Sequence, residues 1–167
     1  MGRTPQRCSR GLTLIEITIA LAVLAILATM AMPTLGERLA RQRLASLAET
    51  LAMDLNEARL EAVQSGQPLH VVFSGDAGWC YAVASTAGCA CGTPQPCQLK
   101  TERAADWPGV TLVSASNVML EPVGTPDLGV QVSLRGVDGQ HEVQVSLSLL
   151  GRARICTTTQ LAGQAPC

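Results

Sequence analysis

The most prominent feature of the sequence is a long apolar run near the amino end. Residues 12–32 are 21 consecutive positions with one charged side chain, Glu16. As a helix, this run would be about 31 Å long, which matches the core of one bilayer. Three arginines lie before the run and none within it, a pattern that keeps the preceding residues in the cytoplasm and exports the rest of the chain. We therefore expect one membrane-spanning segment.

Beyond Pro33 the apolar positions take up helical spacing. They recur in steps of three and four residues, which predicts an amphipathic helix that continues to about Ser65 and is stopped by Gly66 and Pro68. The apolar positions are Ala40, Leu44, Leu47, Leu51, Leu55, Ala58 and Ala62. The charged residues predicted to face largely outward are Arg41, Glu49, Asp54, Glu57 and Glu61.

After Pro68 the pattern changes to short β-rich runs separated by glycine, proline and aspartate. These runs predict about seven strands. Alternation is clean in "VQVSLSLL", and the Asp138-Gly139 pair lies between two such runs, so residues 129–150 are predicted to form a hairpin. The fold class is therefore α+β, with a long amino-terminal helix packed on antiparallel sheets.

Charge and motif content argue against several function classes. Without the three arginines of residues 1–11, nine basic groups stand against thirteen acidic ones, a net charge of −4. A broad basic face for nucleic acid is therefore not expected, and any such role would need a local patch. The sequence has no catalytic spacing around His70 or His141, which we interpret as surface or core-edge histidines. We predict neither an enzyme nor a cofactor.

Six of the seven cysteines lie after the apolar run, and only Cys8 precedes it. In an exported domain an even number favours disulfides, whereas the C-x-C-x5-C spacing does not match a structural zinc site. We predict no metal. Cys89 and Cys91 are poorly placed to bond each other, so Cys80 and Cys97 are their expected partners, in an order that the sequence leaves open. Cys156 and Cys167 are then left to close a carboxyl-terminal loop.

The residues "RGLTLIEITIALAVLAILATMAMP" resemble the type III signal of type IV pilins and type II secretion pseudopilins. The resemblance implies cleavage by prepilin peptidase after Gly11, methylation of the new amine of Leu12, and a role for Glu16 in filament assembly, with Pro33 ending the run. Leu12 departs from the phenylalanine that is commonest there. An ordinary signal peptide would need a small-x-small site after the run, which "ATMAMP" matches poorly.

The stem, helix and β domain together resemble the GspH/FimT family of minor pilins and pseudopilins. The resemblance implies a pilin-like fold and four regions: a cytoplasmic leader at 1–11, a transmembrane and filament-core helix at 12–33, an amphipathic helix at 34–66, and a periplasmic β domain at 67–167. It also implies an inner-membrane precursor with the carboxyl-terminal domain in the periplasm, which later joins a pilus or pseudopilus. The implied partners are prepilin peptidase, the inner membrane and other pilin or pseudopilin subunits.

Near the carboxyl end, "GRARIC" places Arg152 and Arg154 two residues apart, so that on a strand both project to one side. Gly151, Arg152, Arg154 and Cys156 resemble the Gly-Arg-x-Arg-x-Cys motif of FimT-type minor pilins, which implies binding of double-stranded DNA for natural transformation. Two phosphate contacts per subunit imply a salt slope of only about −2, and therefore weak binding that does not depend on the base sequence.

The arginine pair raises two further expectations. The patch would be extended by Lys100, Arg103 or Arg135, or by several subunits acting together. The alternatives are ion pairs of the two arginines with Asp127 or Asp138, or contact with a neighbouring subunit. That second contact would fit a GspH-like minor pseudopilin with a structural role in type II protein secretion.

Overall fold

The computed structural model describes residues 13–75, 78–158 and 165–167, and leaves the side chains of residues 30–35 undescribed. The chain divides into two compact units, Met1–Arg38 and Leu39–Cys167. The structure describes a long helix, α1 (Leu14–Ser65). In the part of the chain that the structure describes, no helix has the length and apolar character needed to cross a membrane.

Helix α1 ends where the sequence predicted. Gly66 follows the last helical residue with φ +64°. This is the left-handed conformation that glycine adopts easily after a helix end.

In the described part of the chain, eight strands form two four-stranded antiparallel sheets. The strands are β1 (Leu69–Ser74), β2 (Cys80–Ala84), β3 (Gln98–Arg103), β4 (Val110–Ser114), β5 (Val118–Leu120), β6 (Val130–Gly136), β7 (Glu142–Leu147) and β8 (Ala153–Thr157). The first sheet has the order β3-β2-β1-β5 and the second the order β4-β6-β7-β8. Strand β8 is therefore an edge strand of the second sheet.

Both sheets and the second half of α1 share one hydrophobic core. The helix contributes a stripe of leucines and alanines that are fully or nearly buried, from Leu44 to Ala62. The sheets contribute alternate residues, such as Val143, Val145 and Leu147 of β7, because successive side chains of a strand point to opposite faces. The predicted α+β fold, with its helix packed on antiparallel sheets, is confirmed.

The hairpin predicted over residues 129–150 is also confirmed, with β6 and β7 paired from Val130↔Leu147 to Arg135↔Glu142. One strand was missed. Strand β3 has the sequence "QLKTER", in which no run of apolar or β-branched residues stands out. Pairing with β2 makes it a strand. It is an edge strand, and a polar composition is common at sheet edges.

Among the described residues, three disulfides cross-link the β domain. Cys80 is bonded to Cys91 and Cys89 to Cys97, which gives the order that the sequence left open. Both bonds hold the loop between β2 and β3. The third joins Cys156 of β8 to Cys167.

Candidate functional site

The arginine pair lies on the exposed edge of the second sheet. In the β7–β8 ladder Arg154 is opposite Ser146, and the amide of Ser148 donates to the carbonyl of Arg152 at 3.1 Å, which extends the pairing beyond the start of β8. Ala153, between the arginines, packs against the core. Arg152 and Arg154 therefore point to the outward side of the sheet, and both are exposed. We call these two residues the arginine edge.

The turn before the arginine edge depends on Gly151. Its amide donates to the carbonyl of Ser148 at 2.8 Å, and its φ of +70° closes the tight turn of residues 149–151 in the connection between β7 and β8. The other two residues of this turn, Leu149 and Leu150, are 64% and 70% exposed. Two large apolar side chains thus stand next to the two cations.

Gly151 is also packed against groups from two other elements. An added Cβ would lie 2.5 Å from the carbonyl oxygen of Gly124 and 2.8 Å from Nε of Arg59. That nitrogen, on α1, donates to the same Gly124 oxygen at 2.6 Å. The turn, the loop between β5 and β6, and the helix therefore meet at one point, which fixes the position from which the arginine edge begins.

Two of the three residues expected to extend the patch are engaged elsewhere. Nζ of Lys100 lies 2.5 Å from the carboxylate of Asp54, and Arg135 lies 3.1 Å from Glu142. Arg103 lies on β3 of the other sheet, where its Nε is buried without a hydrogen-bond partner among the described residues. The two arginines of the edge differ, since within residues 13–75, 78–158 and 165–167 neither has an ion pair.

The aspartates considered as partners for the arginine edge have other contacts. Asp127 accepts a hydrogen bond from the amide of Met119 at 3.0 Å. Asp138 contacts Nδ1 of His141 and accepts hydrogen bonds from the amides of Gln140 and His141. Burial raises the pKa of Asp138, but these hydrogen bonds outweigh it and hold the pKa below its ordinary value.

Asp54 was expected to face outward, and that expectation was wrong. Its side chain is 2% exposed, accepts a hydrogen bond from the hydroxyl of Tyr81 at 2.8 Å, and pairs with Lys100. We call these three residues the buried carboxylate cluster. Burial and the nearby Asp54 carboxylate raise the pKa of Tyr81, and the hydrogen bond to Asp54 raises the pKa of Lys100. The cluster joins α1 to β2 and β3.

The tail after β8 returns to that strand. The amide of Thr157 donates to the carbonyl of Ala165 at 2.9 Å, and the amide of Cys167 donates to the carbonyl of Thr157 at 3.1 Å. Together with the Cys156–Cys167 disulfide, these bonds hold residues 165–167 against the strand that carries Arg154.

Of the residues implied for processing and assembly, Gly11 and Leu12 lie outside the described residues. Glu16 is exposed in the first turn of α1, and its amide donates to Oγ1 of Thr13 at 3.4 Å. A carboxylate in the first turn is favoured by the helix dipole. Pro33 lies within α1, whose backbone remains helical on both sides of it.

The structure places the two histidines apart, His70 on β1 and His141 between β6 and β7. Among the described residues, no group of three or more histidine, cysteine or acidic side chains is arranged to hold a metal ion. Sequence reasoning missed Arg59 as a member of the site. Its partner Gly124 is 65 residues away, so no local pattern marks it.

Solved structures of other proteins share this architecture. Two crystal structures of the type IV minor pilin FimU of Pseudomonas aeruginosa resemble the chain, one at 20% identity with a TM-score of 0.55 over 75% of this chain and 94% of that chain. The other has 18% identity and a TM-score of 0.51, and the match covers 74% of this chain and 97% of that chain. These likenesses show the fold. No curated protein sequence matched the chain.

Two family models match the sequence itself. The prokaryotic N-terminal methylation motif matches residues 6–32, and the type II transport protein GspH matches residues 47–151, more than half of the chain. Proteins of this family and fold are structural rather than enzymatic. The resemblance to the GspH/FimT family of minor pilins and pseudopilins is thereby confirmed. The chain belongs to the GspH family and is a minor pilin of a type IV pilus or a type II pseudopilin.

Proposed function

We propose that this chain is a minor pilin of a type IV pilus that binds double-stranded DNA outside the cell for natural transformation. The arginine edge carries the proposal. Arg152 and Arg154 are exposed on one side of an edge strand, and among the described residues neither has an ion pair. Guanidinium groups grip phosphate through two donors each, so two of them on one side fit a polyanion.

The contacts expected are electrostatic and independent of base sequence. The chain has one Phe, one Tyr and two Trp, and Tyr81 and Trp79 are buried, so base stacking has few candidates. Two phosphate contacts imply a salt dependence of slope about −1.8 in a plot of log K against log salt concentration. One subunit would therefore bind weakly, and several subunits in a filament would act together.

The maturation route belongs to the same proposal. We infer that prepilin peptidase removes residues 1–11 on the cytoplasmic side, that Leu12 is methylated, and that residues 12–33 hold the precursor in the inner membrane before they enter the filament core. Support comes from the methylation motif matched over residues 6–32 and from the apolar run. The mass of the mature subunit tests this inference, because an unmodified or differently cut amino terminus would contradict it.

The DNA proposal is tested with the purified full chain in a neutral detergent. We expect it to retard a labelled 30-base-pair duplex in a gel at low salt, and we expect Arg152→Gln with Arg154→Gln to abolish the retardation. The matched control is Arg38→Gln with Arg43→Gln, which makes the same charge change at two exposed residues of α1. Equal retardation by the wild-type chain and the Arg152/Arg154 variant would refute the proposal.

A second function has its own supporting observation. The family model that covers most of the chain is that of a type II transport protein, and Leu149 and Leu150 expose apolar surface beside the arginine edge, which fits contact with a protein neighbour. On this alternative the chain is a structural minor pseudopilin. Deletion would then reduce protein secretion and leave transformation unchanged.

A further inference from the structure

Arg59 lies against the turn that begins the arginine edge. Its Nε donates to the carbonyl of Gly124 at 2.6 Å, and its Nε and Cδ lie 2.8 Å and 2.9 Å from the Cβ position of Gly151. Given standard backbone dimensions, Nε of Arg59 is then within about 8 Å of Cα of Arg152. A third guanidinium group, contributed by the helix, therefore lies beside the turn that precedes Arg152.

The two terminal nitrogens of the Arg59 guanidinium are available to a ligand. In the part of the chain that the structure describes, the one hydrogen bond of the Arg59 side chain is made by Nε, and the residue has no ion pair. The N–H groups of its two terminal nitrogens therefore make no hydrogen bond to a described residue. Lys100 and Arg135 differ in this respect, since carboxylates hold both of them. Arg59 is only partly buried, so a ligand can approach it.

We propose that Arg59 is a third phosphate-binding residue of this site and contacts a backbone phosphate of duplex DNA next to those held by Arg152 and Arg154. The inference rests on the proposed function and deepens it. The bond from Nε to Gly124 orients the planar group before DNA arrives. A group held in this way loses less conformational entropy on binding than a free side chain does.

The slope of log K against log salt concentration measures the number of phosphate contacts. The full chain in neutral detergent is titrated with a fluorescent 30-base-pair duplex, and anisotropy is followed between 50 and 200 mM salt. Three contacts predict a slope of about −2.7 and a roughly 40-fold loss of affinity over this range, and Arg59→Gln should reduce these to about −1.8 and about 12-fold. Arg43→Gln is the matched control, because it removes one exposed cation of the same helix. Its slope should stay near −2.7.

A second variant separates phosphate contact from support of the turn. Arg59→Lys keeps the charge but not the planar group, so its slope should stay near −2.7. A wild-type slope in Arg59→Gln would overturn the inference, and so would a slope of about −1.8 in Arg59→Lys. Thermal unfolding of each variant shows that the compared chains are folded.

The two proposals fail in different ways. If the wild-type chain does not bind the duplex, or if Arg152→Gln with Arg154→Gln leaves binding unchanged, the proposed function fails. If the wild-type chain binds, that double variant does not, and Arg59→Gln keeps the wild-type slope, the inference about Arg59 alone fails.

Discussion

The charged side chains of two polar regions of the protein have opposite environments. The buried carboxylate cluster satisfies Asp54 within the chain, through Tyr81 and Lys100, and so connects α1 with β2 and β3. The arginine edge leaves Arg152 and Arg154 exposed, with no ion pair to any described residue. Charges of the first kind stabilise the fold, whereas charges of the second kind are available to something outside it.

The arginine edge nevertheless depends on the fold at Gly151, and the largest expected effect lies there. Gly151→Ala and Gly139→Ala both place a Cβ on a residue with positive φ, which costs about 1 kcal/mol. Only at Gly151 does the new carbon meet a backbone oxygen, at 2.5 Å, whereas nothing lies within 4 Å of it at Gly139. We expect the free energy of unfolding to fall by about 3 kcal/mol for Gly151→Ala and about 1 kcal/mol for Gly139→Ala.

The measurement is urea unfolding of the full chain in detergent, followed by fluorescence of the buried Trp79. Equal losses in the two alanine variants would mean that the contact of Gly151 with Gly124 and Arg59 contributes nothing to stability. The packing around Gly151 would then not fix the position of the arginine edge, and the arginine edge would not depend on the fold in the way described above.

The next largest effect is expected in the buried carboxylate cluster. Asp54→Ala leaves the hydroxyl of Tyr81 and the ammonium of Lys100 without their shared acceptor. Removing one member of a buried ion pair costs about 3–5 kcal/mol, and because the Lys100 side chain is 42% exposed we expect about 2 kcal/mol. Glu49→Ala on the exposed face of the same helix is the control, with an expected change under about 0.5 kcal/mol. Similar losses in both would show that Asp54 is not part of a stabilising cluster.

What the sequence could predict depended on the range of the interactions involved. Helical spacing from Leu44 to Ala62 and β alternation from Val130 to Leu147 are local patterns, and both were predicted correctly. The partners of Asp54 lie 27 and 46 residues away, so its spacing on α1 indicated an exposed residue. The contact of Arg59 with Gly124 spans 65 residues and leaves no local pattern either. Strand β3 was missed because its sequence is polar.

The smallest expected effect is a pH-dependent loss of stability in the buried carboxylate cluster. Tyr81→Phe removes one donor to Asp54 and should cost about 1 kcal/mol at pH 7. Burial raises the pKa of Tyr81 above its ordinary value of 10.0. A raised pKa gives stability that is present below the unfolded value and is lost as pH rises. The wild-type chain should therefore lose its advantage over Tyr81→Phe as pH passes 10.

Lys100 is common to both chains, and the stability from its raised pKa is lost in the same direction, so it largely cancels from the difference. Unfolding of the two chains between pH 7 and 11 measures that difference. A constant gap across this range would contradict a buried, protonated Tyr81.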